Sequence, residues 1–131
     1  LASGSGVIRA ADGELGEIPV TWASRTAEPG GKTSPEELAA AAHSSCFAMA
    51  LALRLGEHKA VPQQLTVSAT VTLDEVDGLP TIVSSNLRVR AQVPGLDDSG
   101  FKEIVEEAAA LCPVSRLFAG AKISVDAVLD R

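Results

Sequence analysis

The segment TSPEELAAAAHSSCFAMALALRLG, residues 33–56, decides the fold because it carries the clearest helix signals in the sequence. Ser34 can cap the first turn with its hydroxyl, Pro35 fits the first helical position, and Glu37 completes a capping box. Glu36 and Glu37 also place two carboxylates where they complement the helix dipole. The segment therefore predicts a helix that begins at Pro35.

The predicted helix runs from Pro35 to about Leu55 and ends at Gly56, which suits the left-handed conformation of a helix terminus. At 1.5 Å per residue it spans about 30 Å. It is apolar nearly all round, and a chain of 131 residues can hardly cover it on all sides, so we expect a partner subunit to cover part of it. A transmembrane helix is not expected, because polar side chains interrupt the apolar stretch: His43, Ser44, Ser45 and Arg54.

Strand patterns flank this helix on both sides. Before it, strands are expected over 7–11 and 15–22 around Asp12-Gly13, which suits a hairpin turn, with a loop over 27–32. After it, alternating apolar and polar residues predict half-buried antiparallel strands. The later elements are a strand over 65–73, a turn at Asp77-Gly78, a strand over 82–93, a helix over about 99–111, a helical turn over 114–118 and a strand over 123–129. The side chains expected to face the core are Leu87, Val89, Ala91 and Val93 of a strand and Phe101, Ile104, Val105 and Ala108 of a helix. This order predicts an α+β fold in one domain, residues 1–131.

The composition narrows the class of protein. The sequence has 11 Lys and Arg against 17 Asp and Glu, a formal charge of −6, which argues against nucleic acid as a partner because phosphate binding needs clustered positive charge. No signal peptide is expected, since the opening LASGSG lacks a basic start and an apolar core. Two cysteines are too few for a disulfide-stapled secreted scaffold but enough for one redox pair. A cytoplasmic location without a membrane partner is expected.

The two cysteines are the first candidates for chemistry. Cys46 lies in the middle of the apolar helix and Cys112 directly before Pro113, too far apart in sequence for a CxxC redox motif. They are either two buried small hydrophobic residues or a peroxidatic thiolate with a resolving thiol. Cys112 precedes a helical turn whose backbone N–H groups favour a thiolate, whereas Cys46 needs a cation from elsewhere. Local physics therefore predicts that Cys112 is the more acidic thiol.

A cation and a carboxylate are candidates for the same site. Arg25 follows a predicted strand and is either an ordinary solvated arginine or the cation that Cys46 needs. Glu36 serves the helix dipole, or it orients Arg25 through a bidentate pair. Ten helical positions separate Glu36 from Cys46, about 15 Å along the axis. A shared site therefore needs Glu36 from another subunit or Arg25 as an intermediary.

His43 lies one turn before Cys46, where an activating His–Cys pair or half of a metal site is one interpretation. A hydrogen-bonded polar residue on a helix face is the more frequent one. A four-ligand zinc site would need both histidines, His43 and His58, and both cysteines, and the spacings match no standard zinc pattern. No metal and no cofactor are expected.

Two stretches resemble the cysteine motifs of the OsmC/Ohr family. Residues 34–47, SPEELAAAAHSSCF, resemble the first motif, and residues 111–116, LCPVSR, resemble the second. The sequences VTLD at 71–74 and VPGLD at 93–97 also match, so the resemblance covers most of the chain. The CPVSR form is closer to the osmotically inducible OsmC branch than to the Ohr branch.

The resemblance implies an α+β, OsmC-like fold, with antiparallel strands, a long central buried helix and an intertwined homodimer. It also implies a thiol-dependent peroxidase that reduces organic hydroperoxides with an external dithiol and protects against oxidative stress. By motif match Cys46 is peroxidatic and Cys112 resolving, Arg25 stabilises the thiolate and the peroxide, and Glu36 holds Arg25. This assignment replaces the local prediction that Cys112 is the more acidic thiol, because a buried arginine can outweigh a single helical turn. The candidate apolar surround is Phe47, Met49, Leu111, Leu117 and Phe118.

Two other classes of function stay open at this point. A non-catalytic redox sensor or apolar-ligand binding protein on the same fold predicts little or no turnover despite a functional thiol pair. A purely structural dimeric domain predicts inert cysteines with ordinary thiol pKa values.

Overall fold

The computed structural model describes residues 4–11, 14–27 and 30–130. Its elements are β1 (Ser5–Arg9), β2 (Glu17–Thr21), α1 (Ala23–Thr26), α2 (Pro35–Glu57), β3 (Gln64–Val76), β4 (Leu79–Gln92), α3 (Asp98–Leu111), α4 (Pro113–Leu117) and β5 (Lys122–Asp130). The chain divides into two compact units, Leu1–Ala39 and Ala40–Arg131. A single domain over residues 1–131 stays a prediction.

The first unit contains an antiparallel pair of short strands. Strands β1 and β2 pair with Ser5 opposite Thr21 and Arg9 opposite Glu17, as predicted, whereas the Asp12-Gly13 turn lies outside the described residues. The one-turn helix α1 follows β2 and was not predicted, because four residues are too few to show a helical period. The Ser24 hydroxyl fixes this turn by donating to the Thr21 carbonyl oxygen at 2.7 Å.

The beginning of α2 confirms Ser34 as the cap but not the reciprocal bond from the Ser34 backbone N–H to Glu37 that the predicted capping box requires. The Ser34 hydroxyl oxygen accepts a hydrogen bond from the Glu37 backbone N–H at 3.2 Å, which satisfies one free donor of the first turn. The Glu37 carboxylate accepts from the Thr33 hydroxyl at 3.1 Å. Helix α2 therefore begins at Pro35, where the sequence predicted it.

The end of α2 corrects the predicted stop at Gly56. The helix continues to Glu57, and the left-handed residue is Lys59, with φ of 57°. The Ala60 N–H bonds the Leu55 carbonyl at 2.9 Å, and the Lys59 N–H bonds the Gly56 carbonyl at 3.0 Å. These are the two hydrogen bonds of a Schellman motif, so Gly56 lies in the last turn and serves as an acceptor.

The second unit contains a three-stranded sheet in the order β3-β4-β5. Strands β3 and β4 form an antiparallel hairpin whose turn is Asp77-Gly78, with φ of 52° and 77°. Positive φ at both central residues matches the right-handed twist of the strands. The hairpin and the alternating burial of β3 confirm the prediction.

The sequence predicted strand β5 but not the direction of its pairing. It pairs with β4 in parallel, from Ser84 opposite Lys122 to Gln92 opposite Asp130. Parallel neighbours need a long crossover connection, and α3 with α4 supplies it. The periodicity of a strand shows which face is buried but not the direction of its neighbour, so the sequence did not distinguish the two.

The core of the second unit lies between the sheet and two helices. Its buried side chains come from α2 (Phe47, Leu51, Leu55), β4 (Leu87, Val89, Ala91), the residue after β4 (Val93) and α3 (Phe101, Ile104, Val105, Ala108). The inward residues predicted on β4 and α3 are all confirmed. On α2, however, Met49 is 74% exposed and Leu53 54% exposed. Part of this helix is therefore uncovered within one chain.

Helix α2 is the one helix in the described ranges whose length and composition would suffice to cross a membrane. The core helices of soluble proteins pass the same test, and α2 supplies three of the buried core residues named above.

Candidate active site

The two cysteines face each other in the second unit. Their Sγ atoms lie 3.3 Å apart, and both are free thiols. Cys46 is on α2 and is partly exposed, whereas Cys112 is fully buried between α3 and α4. Pro113 ends α3 at this point because it cannot continue the helical hydrogen bonds. The structure therefore brings together two residues that lie far apart in sequence.

The surroundings of the two sulfur atoms shift their pKa values in opposite directions. Burial raises the pKa of Cys46 and the neighbouring Cys112 raises it further, while a hydrogen bond from the Val114 backbone opposes them. Burial also acts to raise the pKa of Cys112, but hydrogen bonds from the side chain and backbone of Ser115, from Cys46 and from Val114 outweigh it, and its pKa is lowered. Within this chain Cys112 is the more acidic thiol, as local physics predicted.

His43 is fully buried and hydrogen-bonded on both sides. Its Nδ1 lies 2.6 Å from the Ser85 hydroxyl oxygen, and its Nε2 lies 2.8 Å from the Ser115 hydroxyl oxygen. The Phe118 ring packs edge-on against the imidazole, with ring centroids 5.1 Å apart. This confirms the interpretation of His43 as a hydrogen-bonded polar residue. Burial lowers its pKa, so the imidazole is neutral near pH 7.

Arg25 and Glu36 form an ion pair in the first unit. The Arg25 Nε donates to Glu36 Oε1 at 2.9 Å, and its Nη2 lies 2.8 Å from the same oxygen. The guanidinium also lies over the Trp22 ring, 5.3 Å from its centroid. The pairing is confirmed, but its predicted bidentate form is wrong, because both guanidinium nitrogens contact one carboxylate oxygen. The other oxygen, Oε2, is buried without a hydrogen-bond partner in the described part of the chain.

The candidates for the apolar surround differ in their burial within one chain, and their place around a substrate stays a prediction. Phe47 is buried in the core, and Leu111 packs against that core as a half-buried residue. Met49 and Leu117, in contrast, are 74% and 76% exposed. The sequence shows that Met49 and Leu117 are apolar, but it does not show which side of each helix faces the protein.

Ser85 and Ser115 are the polar residues that sequence reasoning missed. Ser115 had a signal, since it lies three residues after Cys112 and could turn towards it. Ser85 had none, because a single serine in a strand of alternating residues has nothing to distinguish it from a solvated one. Within residues 4–11, 14–27 and 30–130, no three His, Cys, Asp or Glu side chains cluster to hold a metal ion.

The fold and the facing thiols define an α+β protein with a dithiol site, one sulfur of which is partly exposed. The family model described as OsmC-like protein matches residues 28–127, and the chain belongs to the OsmC-like family.

Known relatives agree with this membership. The peroxiredoxin OsmC of Escherichia coli is 40% identical over 123 residues, which cover 94% of this chain and 85% of that protein. The structure is similar to an organic hydroperoxide resistance protein from Elizabethkingia anophelis, with a TM-score of 0.71, 25% identity and 95% of each chain covered. An OsmC-like protein from Vibrio cholerae shares the fold, with a TM-score of 0.79, 15% identity and 96% and 85% coverage. The relatives from Escherichia coli and Elizabethkingia anophelis support a peroxidase-type function.

Proposed function

We propose that this protein is a cysteine-based peroxidase that reduces organic hydroperoxides to alcohols in the cytoplasm. The observation that carries the proposal is the 3.3 Å separation of the Cys46 and Cys112 sulfur atoms, in a chain 40% identical to a peroxiredoxin. Two free thiols also fit a reducing compartment.

The first step is the oxidation of Cys46. Its thiolate attacks the distal oxygen of the hydroperoxide, the O–O bond breaks, and the alkoxide leaves and takes a proton to become the alcohol. Cys46 is then a sulfenic acid. Partial exposure gives a substrate access to this sulfur, whereas Cys112 is fully buried.

The second step forms a disulfide. The Cys112 thiolate attacks the Cys46 sulfenic sulfur, and the hydroxide that leaves takes a proton to become water. The lowered pKa of Cys112 makes its thiolate available for this attack. An external dithiol then reduces the disulfide, and both electrons come from its two thiols.

The Cys46 thiolate needs a positive charge, because burial raises the pKa of this thiol. In the proposal Arg25 supplies that charge and polarises the peroxide, while Glu36 holds Arg25. The family resemblance implies that this site lies at the interface of an intertwined homodimer, and the ten helical positions between Glu36 and Cys46 agree with a pair that comes from a second subunit. The exposed Met49 and Leu53 of α2 support a partner that covers this helix.

The test is stopped-flow turnover of cumene hydroperoxide and hydrogen peroxide with a dithiol, on the wild type and on C46S and C112S. We expect fast reduction of the organic peroxide that C46S abolishes, while C112S permits one oxidation and then stalls. Full activity in C46S would contradict the role of Cys46. No turnover in the wild type with both thiols reduced would favour a redox sensor instead.

A further inference from the structure

His43 itself has no role in the peroxidase steps above, yet the hydrogen-bond network around it extends towards the resolving thiol. His43 is fully buried and links Ser85 of β4 to Ser115 of α4 through contacts of 2.6 and 2.8 Å. Ser115 lies in the first turn of α4, three residues after Cys112, and its side chain and backbone act to lower the pKa of Cys112. A polar path therefore leads from the sheet towards one sulfur atom of the dithiol site.

When Cys112 is a thiolate, the number of protons in this network determines which group donates and which accepts in each hydrogen bond. A neutral imidazole has one N–H, and each serine hydroxyl has one O–H. If His43 carries its proton on Nε2, it donates to the Ser115 oxygen, and Ser115 keeps its own proton for the Cys112 sulfur. Ser85 then donates to Nδ1. In the other tautomer Nε2 accepts a hydrogen bond from the Ser115 hydroxyl, and that hydroxyl is then not available as a donor to the Cys112 thiolate.

We propose that His43 is a positioning residue that holds the Ser115 hydroxyl as a hydrogen-bond donor to the Cys112 thiolate, and thereby directs reductive regeneration to Cys46. The second half rests on the proposed peroxidase function, which produces the disulfide. His43 acts through Ser115 and touches neither the peroxide nor the reductant.

The consequence appears when the disulfide is reduced. A thiolate of the external dithiol attacks the Cys46 sulfur, forms a mixed disulfide with it and breaks the bond to Cys112. The electron pair goes to the Cys112 sulfur, where the Ser115 hydroxyl stabilises it. The second thiol of the dithiol, once deprotonated, attacks the first sulfur of the same dithiol, which is bonded to Cys46. This releases the Cys46 thiolate and leaves the reductant as a disulfide.

Two independent observations give the same direction of attack. A sulfur whose thiol has the lower pKa leaves faster, and Ser115 lowers the pKa of Cys112. Access agrees, because Cys46 is partly exposed while Cys112 is fully buried. The network therefore makes Cys112 the leaving group and Cys46 the sulfur that the reductant contacts.

The first test measures the Cys112 thiol alone, in the C46A background. Thiolate absorbance against pH gives the pKa of Cys112 in C46A and in C46A combined with S115A, H43F or H43Q. Losing a hydrogen bond to a charged group should raise this pKa by about one unit in S115A and H43F. H43Q should restore it, because its amide N–H can replace Nε2–H. An unchanged pKa in folded S115A would overturn the proposal.

The tautomer gives a measurement that needs no substitution at His43, should H43F fail to fold. The ¹⁵N NMR shifts of the His43 ring in C46A, at a pH where Cys112 is ionised, should show the proton on Nε2. A proton on Nδ1 would overturn the proposal.

The second test separates this proposal from the peroxidase function. The disulfide is made with diamide, without any hydroperoxide, and its reduction by dithiothreitol is followed in the wild type and S115A. S115A should slow reduction by about threefold or more, and a monothiol should be trapped on Cys46. Trapping on Cys112 or an equal rate would overturn the inference. Absence of peroxide turnover would contradict only the proposed function.

Discussion

Two polar clusters of this protein differ in how completely their hydrogen bonds are satisfied. In the second unit both ring nitrogens of His43 have a partner, and the two cysteine sulfur atoms face each other. In the first unit Glu36 uses one carboxylate oxygen for Arg25 and leaves the other buried without a partner in the described residues. A buried polar atom without a partner costs about 1–3 kcal/mol. The dithiol cluster is complete within one chain, whereas the ion pair lacks a partner that the proposed homodimer or a substrate could supply.

The largest expected effect comes from removing the cation of the incomplete cluster. R25M should slow oxidation of Cys46 by cumene hydroperoxide by about a hundredfold, because a charge that stabilises the thiolate and the leaving oxygen is lost. Single-turnover stopped flow measures this rate. R9M is the matched control, since Arg9 also pairs with a glutamate, Glu17, at an exposed site of the same unit.

The proposed position of Arg25 also predicts an effect of R25M on the second thiol. R25M should also raise the pKa of Cys112, because in the proposal the Arg25 charge lies beside Cys46, whose sulfur is 3.3 Å from the Cys112 sulfur. A wild-type oxidation rate in R25M would show that the two clusters do not share a site.

A smaller loss is expected from neutralising the carboxylate. E36Q keeps the size of the side chain but removes the carboxylate charge, so the ion pair with Arg25 becomes a weaker hydrogen bond from the guanidinium to a neutral amide oxygen. Oxidation of Cys46 should slow by about tenfold, and E37Q, at an exposed position of the same helical turn, should keep its rate. Equal rates in E36Q and E37Q would contradict a positioning role for Glu36.

The sequence predicted local features of the molecule better than contacts between distant segments, for physical reasons. Capping residues at Ser34 and the motif around Cys46 located α2 and its thiol, because these signals are local. The partnership of Cys112 with Ser115 also depends on neighbours in sequence. Ser85 was beyond reach, since its contact with His43 depends on how a strand packs against a helix. The parallel direction of β5 was missed for the same reason.

The buried His43 of the dithiol cluster should make the free energy of unfolding decrease in mild acid. Burial lowers the pKa of His43, so as pH falls below about 6.5 the unfolded chain takes up a proton that the folded chain does not. The unfolded state then binds more protons, and the free energy of unfolding should fall, by at most about 1.4 kcal/mol per pH unit from this group.

Urea unfolding between pH 7 and pH 5 measures this dependence. H43Q should make the free energy of unfolding less dependent on pH. H58Q replaces the exposed histidine paired with Glu107 and should leave this pH dependence as it is in the wild type. An unaltered slope in H43Q would mean that other groups carry the acid sensitivity.

The smallest effect is expected from removing the Ser85 hydroxyl, which contacts His43 on the side away from Ser115. S85A removes the hydroxyl 2.6 Å from His43 Nδ1 and leaves a buried ring nitrogen without its donor, which should cost about 1 kcal/mol of unfolding free energy. Urea unfolding at pH 7 measures the cost, and S84A, at the neighbouring half-buried position of β4, is the control. If Ser85 also holds the tautomer that donates to Ser115, S85A should raise the pKa of Cys112 in the C46A background by less than S115A does. A loss of stability without any change in that pKa would show that Ser85 serves only packing, and that His43 holds Ser115 without help from the sheet.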